Sequence, residues 1–346
     1  MKDYIIVGAG IAGISFAETA FLNNKSFVVF NDTSQQSTRV AAGLYNPVIL
    51  KRMSLPLNAA EHMEYIRPFY KRIEERLNIK FDHQLPVLRK FASVEEQNNW
   101  FEAMDKPAFI PFLSTKIVRN KYDSLDAPFG FGEVLGTGYV DTVTFLKAYH
   151  EYLAEKGNLI NDSFIHEDLV VNKNSVAYKG TEARHILFAE GFGLHQNHFF
   201  KHLPLGGTKG ELLLIKAPAL KLDAAVNSGI FILPMGDDLY KVGATYEWDD
   251  KTSVPTDAAK QELITKLEEI ISCKYEIIDH FAGIRPTVKD RKALIGTHPD
   301  YNNVHLLNGL GTRGIMLGPP MANALFESIE NGSAIDKAVD LRRFIR

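Results

Sequence analysis

The sequence predicts an α/β protein of two parts, one built on a parallel sheet with a phosphate-binding turn, the other an α+β unit on a mostly antiparallel sheet. Three observations predict it. A glycine-rich turn, Gly8-Ala9-Gly10-Ile11-Ala12-Gly13, joins an apolar strand at 4–7 to a helix at 12–22, with a second strand at 26–30. A second glycine-rich turn, Asn308-Gly309-Leu310-Gly311-Thr312-Arg313-Gly314-Ile315, opens a helix that runs to about Asn331. Between them lie short apolar runs divided by turn residues, such as Ile230–Leu233 and Leu239–Gly243 around Gly236-Asp237-Asp238, the pattern of a β-hairpin.

The opening MKDYIIVGAGIAGISFAETA also has the outline of a secretory leader: a lysine, an apolar run and small residues. Asp3 places an acid in the basic region, each glycine costs a helix about 0.8–1.0 kcal/mol relative to alanine, and apolar residues continue past the small ones at Ala20-Phe21-Leu22. A nucleotide-binding turn explains every glycine. Gly8 makes the tight turn, Gly10 admits a pyrophosphate to the backbone beside Ile11 and Ala12, and Gly13 lets helix and strand pack closely. The helix N-terminus then offers free N–H groups and a positive dipole end to the phosphates. The segment is therefore read as a retained, Rossmann-like strand–turn–helix, its helix buried through Ile14, Ala17, Phe21 and Leu22. An acid at the end of the second strand should hold the ribose hydroxyls. Asn31 stands there and Asp32 follows, so either Asn31 acts as a neutral acceptor or Asp32 reaches in.

Composition narrows the rest. The chain has 346 residues and a formal net charge of −3, which gives no electrostatic reason to expect nucleic acid or an anionic membrane. No apolar stretch approaches the roughly 20 residues that span a bilayer. Cys273 is the one cysteine, so no intrachain disulfide forms, and a reducing, cytoplasmic location is expected. His195, His198 and His202 have no spacing that matches a metal site, and no metal is expected.

Distant segments choose between nicotinamide and flavin. After the second strand, Ser37-Thr38-Arg39-Val40-Ala41-Ala42-Gly43-Leu44 combines phosphate donors (Ser37, Thr38), a cation (Arg39) and small residues that admit a flat ligand. The late turn is a second anion-binding helix end, suited to the negative charge a reduced flavin carries near N1 and the C2 oxygen. A nicotinamide dehydrogenase needs no such second end.

These segments together resemble the FAD-dependent oxidoreductases of the D-amino acid oxidase and glycine oxidase (DAO) superfamily. The G-x-G-x-x-G, the R-V-A-A-G-L loop, the strand start Lys209-Gly210-Glu211, the hairpin ILPMGDDLYKVGAT, the segment Gly283-Ile284-Arg285-Pro286 and the late G-x-G-T-R-G match in order, across essentially the whole chain. The resemblance implies a Rossmann-like FAD-binding domain (1–80, 138–203 and 281–346) interleaved with an α+β substrate domain (81–137 and 204–280) on a mostly antiparallel sheet. Asp141 is expected to cap a helix at 142–156 in the first, and Ser93 and a helix at 257–272 to decorate the second. The resemblance places the cofactor against Gly8, Gly10, Ile11, Ala12, Gly13, Asn31 or Asp32, Thr38, Arg39, Ala42, Gly43, Leu44, Gly191, Gly311, Thr312, Arg313, Gly314 and Ile315. FAD is expected to be noncovalent, because Cys273 precedes the G-I-R-P region where thioether-linked relatives carry their cysteine.

The reaction implied is hydride transfer from a C–H beside an amine nitrogen to flavin N5, with a small amine or amino acid as substrate. Arg285 matches the arginine that grips the substrate carboxylate. Arg313 touches substrate or flavin or braces the turn, and Tyr246 is expected to face the substrate, with Trp248 and Tyr45 as further aromatic candidates. Two alternatives stand beside this: oxidation of a carboxymethylaminomethyl-type modified tRNA uridine, and a non-catalytic FAD-binding protein.

Overall fold

The computed structural model describes residues 1–344; residues 345 and 346, which end the third expected segment of the cofactor domain, lie outside the described residues. Two eight-stranded sheets and a three-stranded link form the framework. The first sheet has a parallel core in the order Leu159–Asn161, Phe27–Asn31, Lys2–Val7, Thr181–Phe188, Val304–Asn308. An antiparallel strand, Leu294–Thr297, follows at the far edge. The buried run Tyr4–Val7 is apolar on both faces, as a strand covered on both sides requires.

The helix Ile11–Leu22 follows the first strand directly. It is not the one-faced helix that the spacing of Ile14, Ala17, Phe21 and Leu22 predicts. Every residue from Ile11 to Ala20 is buried, while Phe21 and Leu22 are exposed. The reason is that the helix lies between the sheet and the late helix Gly314–Asn331. Small residues on the late helix allow the contact: a Cβ on Gly314 would stand 3.0 Å from Ile11 Cγ2, and one on Gly318 2.9 Å from Ser15 Oγ. Even Glu18 is fully buried in this layer, where Arg76 and the Tyr149 hydroxyl donate to its carboxylate.

The second sheet runs Glu276–Arg285, Thr208–Lys216, Leu239–Gly243, Ile230–Gly236, Ala225–Ser228, Val87–Lys90, Phe131–Val134, Leu113–Val118. All neighbours are antiparallel except Ala225–Ser228 with Val87–Lys90. The hairpin turns at Asp237 and Asp238, both at positive φ. The helix Asp257–Glu268 covers this sheet and stops before the expected Ser272, because the chain turns and Ile271 bridges to Leu125. Ser93 caps Val94–Met104 by accepting from the Glu96 N–H, and Asp141 caps Thr142–Glu155 by accepting from the Val143 and Thr144 N–H groups.

The expected boundary at 280/281 falls inside the strand Glu276–Arg285, which pairs with Thr208–Lys216 from end to end. This strand carries Arg285 from the second sheet to the opening between the two sheets. The helix Ser37–Val40, expected only as part of a loop, packs against the same strand, where Val40 Cβ would stand 3.3 Å from a Cβ on Gly283.

Candidate functional site

A cavity of about 820 Å³ runs between the two sheets. Its floor is the glycine turn. Gly8 has φ +99°, and a Cβ there would meet the Ala189 carbonyl oxygen at 2.5 Å. A Cβ on Gly13 would meet the Gly8 carbonyl oxygen at 1.8 Å, so Gly13 serves packing and does not line the cavity. Gly10 begins the helix Ile11–Leu22 with no side-chain cap, which leaves first-turn N–H groups for an anion. The Ile11 N–H donates to Thr38 Oγ1 at 3.2 Å, joining the turn to the Ser37–Val40 helix.

Asn31 and Asp32 are already committed within the protein. Asn31 Oδ1 accepts the Ala9 N–H at 2.9 Å, so its carboxamide oxygen holds the glycine turn. Asp32 accepts from the Ser34 N–H and hydroxyl through Oδ1 and from the Ser163 hydroxyl through Oδ2. Burial pulls the Asp32 pKa up, but the Ser34 and Ser163 bonds prevail and hold its carboxyl below the usual range.

The far wall comes from the late turn. Gly311, Thr312, Gly314 and Ile315 line the cavity, and the helix Gly314–Asn331 also starts without a side-chain cap. Two helix N-termini, at Ile11 and Gly314, thus face one cavity from opposite ends of the sequence. Arg39, Ala42, Gly43, Leu44 and Gly191 line it as well. Arg313 is not among the lining residues: its backbone belongs to the turn, and its half-buried side chain lies near Tyr246 and Arg291.

Arg285, at the end of the strand Glu276–Arg285, also lines the cavity. Its Nη1 donates to the carbonyls of Lys209 (3.3 Å) and Thr245 (3.2 Å), and its guanidinium carbon lies 4.6 Å from the centre of the Tyr246 ring. Gly210 makes the room, because a Cβ there would collide with Arg285 Nη2 at 1.9 Å. Burial lowers the Arg285 pKa, and the Tyr246 hydroxyl opposes that. Arg76, Arg89 and Arg343, half-buried like Arg285 and Arg313, each pair with a carboxylate. Among the described residues Arg285 and Arg313 have none. A desolvated guanidinium without an acid is a site for an anion from outside.

Other candidates fall elsewhere. Tyr45 is a core residue whose hydroxyl donates to Asp82 at 2.7 Å. Trp248 is exposed on the loop after Tyr246. Cys273 packs at the edge of the second sheet's core, and the described residues contain no cluster of potential metal ligands.

Sequence reading missed several residues. His150 Nε2 holds the Ala9 carbonyl at 2.8 Å, and Asn308 donates to the Gly191 carbonyl at 2.9 Å, joining two strand ends at the cavity. Glu190, paired with His166 at 2.6 Å, lines the cavity beside the glycine turn. Lys241 is buried, has no acid partner among the described residues and reaches the Ala41 carbonyl at 3.3 Å. Of these only Lys241 left a trace in sequence, as a charge in an otherwise apolar strand.

A cavity with a glycine turn at one end, two uncapped helix N-termini along it and small residues between suits a long, flat dinucleotide carrying phosphates. The comparisons agree. The family model for FAD-dependent oxidoreductases (DAO) matches residues 3–328. Glycine oxidase of Bacillus subtilis (strain 168) is 23% identical over 353 residues, covering 95% of this chain and 93% of that protein. The bifunctional protein of tRNA 5-methylaminomethyl-2-thiouridine biosynthesis from Haemophilus ducreyi is 23% identical over 386 residues; the match covers 95% of this chain but only 56% of that protein. In fold, the chain is similar to glycine oxidase from Geobacillus kaustophilus (TM-score 0.81, 19% identity, 99% and 97% of the two chains). It is also similar to iminodiacetate oxidase from Chelativorans sp. BNC1 (TM-score 0.78, 18% identity, 99% and 98%). The chain belongs to the FAD-dependent oxidoreductase (DAO) family, and FAD is its cofactor.

Proposed function

We propose that this protein oxidises the C–N bond of a small amine bearing a carboxylate, an amino acid or N-substituted amino acid, and that Arg285 holds the carboxylate. The observation that carries the proposal is Arg285 itself: a half-buried arginine lining the cavity, its guanidinium bonded to two carbonyls and, among the described residues, to no acid. Its planar fork binds both carboxylate oxygens and stays charged at any working pH. Bound FAD supplies the hydride acceptor. The protein's residues do the rest by placement. Arg285 fixes one end of the substrate, Tyr246 flanks it, and the narrow cavity sets the substrate's amine-bearing carbon at a defined depth. No side-chain base is required when the amine arrives neutral.

The residues that would hold the cofactor divide by its parts. The first-turn N–H groups after Gly10, with Thr38, take the pyrophosphate. Asn31 offers its amide N–H to the ribose, since its oxygen is occupied by Ala9. The Gly311–Gly314 turn faces the flavin ring. Noncovalent binding accords with Cys273 lying away from the cavity. The similarity to glycine oxidase and iminodiacetate oxidase supports a carboxylated amine as substrate class.

A second reading has one observation in its favour. Tyr246 and Trp248 are 61% and 50% exposed on one loop, and Tyr246 lies near Arg313, which in turn lies near Arg291; neither arginine is ion-paired among the described residues. Aromatics beside free cations suit a nucleotide, and a carboxymethylaminomethyl uridine presents the same N-substituted glycine to Arg285. Anaerobic mixing with free N-alkyl glycines and with tRNA carrying that group separates the two: the first reading expects flavin bleaching by the free compounds, and bleaching by tRNA alone overturns it.

A further inference from the structure

The loop at 246–256 carries Tyr246 over Arg285, yet it is exposed along most of its length, with Trp248 and Val254 among the exposed side chains. What holds it is an internal lysine. Lys209 has no exposed side-chain surface, and its ammonium is bound by the loop: Asp250 Oδ2 at 2.5 Å, Thr252 Oγ1 at 3.4 Å and the Val254 carbonyl. Its backbone pairs with Glu247 in both directions, N–H to carbonyl at 2.9 and 3.0 Å. Two residues on, Glu211 receives the Thr256 N–H (2.8 Å) and hydroxyl (3.0 Å) where the loop enters the next helix. Glu211 also lies 3.5 Å from Lys209 Nζ and 2.9 Å from His280 Nε2.

Lys209 and Glu211 flank Gly210, the residue that makes room for Arg285, and the Lys209 carbonyl is one of the two acceptors that orient the guanidinium. One strand start therefore fixes both the arginine and its cover. A fully desolvated ammonium is stable only when acceptors surround it, and here most of those acceptors come from the loop. The loop's remaining long-range side-chain bond is weaker in kind: Lys251, at the surface, to the Gly207 carbonyl at 3.0 Å.

We propose that Lys209 is a positioning residue for the anion-binding end of the cavity: through Asp250 it latches the 246–256 loop so that Tyr246 covers Arg285 and keeps water from the guanidinium. This rests on the reading of Arg285 as the carboxylate site. The pull of Lys209 on Asp250, whose carboxyl is held down to about 2, is consistent with a latch closed at every ordinary pH.

The test uses the FAD-loaded enzyme with Asp250→Asn, Asp250→Glu and Lys209→Met. Asp250 is at the surface end of the latch, so its variants fold even where removal of the buried lysine does not. Three quantities are read: amide hydrogen exchange across 246–256 without substrate, acetate affinity from its perturbation of the flavin spectrum, and KM against kcat. For Asp250→Asn the expected result is loop exchange faster by about 10-fold or more. Acetate should bind roughly 5–20-fold more weakly and KM should rise in parallel, with kcat and bound FAD little changed and Asp250→Glu restoring most of both. Unchanged loop exchange, or faster exchange with unchanged acetate affinity, overturns the proposal. If the unaltered enzyme fails to bind acetate, the Arg285 reading fails and the covering role with it; loop exchange in the variants then shows separately whether Lys209 holds the loop.

Discussion

The guanidinium of Arg285 lies 4.6 Å from the ring centre of Tyr246, and the residue preceding that tyrosine, Thr245, supplies one of the two carbonyls that orient it. The arginine is thus fixed on one side by backbone and flanked on the other by an aromatic ring. Its remaining N–H groups have no acceptor among the described residues. If this end of the cavity takes the substrate carboxylate, as proposed, the arginine's side chain should be needed for turnover. Arg285→Gln should lower kcat/KM for a carboxylated amine by roughly 10²-fold or more, from the loss of two charge-assisted hydrogen bonds worth about 1.5–3 kcal/mol each. Arg285→Lys should recover part of it, since the charge remains but the fork does not. Steady-state kinetics alongside bound-flavin absorbance check both, and flavin content should not change.

The glycines of the turn should fail in different ways. Gly13→Ala places a Cβ against the Gly8 carbonyl at 1.8 Å, so it should unsettle the fold as well as cofactor binding. Gly10→Ala meets only Thr38 Oγ1 at 3.2 Å, so it should fold normally and bind FAD more weakly. Thermal melts of the apoprotein and FAD titration by fluorescence quenching distinguish the two.

Asn31 and Asp32 should also separate. Asn31→Ala leaves the Ala9 N–H without its acceptor, a loss of about 1–3 kcal/mol, and should weaken FAD binding about 10-fold. Asp32→Ala removes bonds to Ser34 and Ser163 only and should leave FAD affinity within about 2-fold. The same titration reads both.

Away from the cavity, His305 is 1% exposed, with Nε2 3.1 Å from His185 Nδ1 and Nδ1 2.9 Å from Thr297 Oγ1. Burial pushes both histidines down, His305 well below its usual value and His185 to about 4. Unfolded histidines take up protons below about 6.5 while these stay neutral in the fold. Stability is therefore complete above that pH and falls as pH drops, by up to about 1.4 kcal/mol per pH unit for each. Melting temperatures between pH 7.5 and 5 should decline, and His305→Gln should flatten the slope.

The parts of this structure legible in sequence are those governed by local rules. Gly8, Gly10 and Gly13 identified the turn because each has a separate steric duty, and Asp141 and Ser93 announced helix starts. The burial of the Ile11–Leu22 helix on all sides was not legible, because it depends on Gly314 and Gly318, residues that reach Ile11 and Ser15 only through the tertiary fold. The same holds for Arg285: its sequence neighbours placed it in a family motif, but the space it occupies is made by Gly210 and its lack of an acid partner is a property of three dimensions. Lys209 reads in sequence only as a strand start, since nothing local shows that its ammonium meets Asp250, 41 residues away. Arg313 is a different case, a residue prominent in its motif that is not among the residues lining the cavity but lies near Tyr246, which is.

The most direct test is anaerobic reduction of the bound flavin, followed by absorbance, with small amino acids, N-alkyl glycines and the matching amines lacking a carboxylate, in the unaltered enzyme and in Arg285→Gln. Bleaching is expected by at least one carboxylated amine, with little or none by its decarboxylated counterpart and a shift to much higher substrate concentration in the variant. Bleaching that is indifferent to the carboxylate and to Arg285, or no bleaching by any carboxylated amine, would show that Arg285 does not hold a substrate carboxylate.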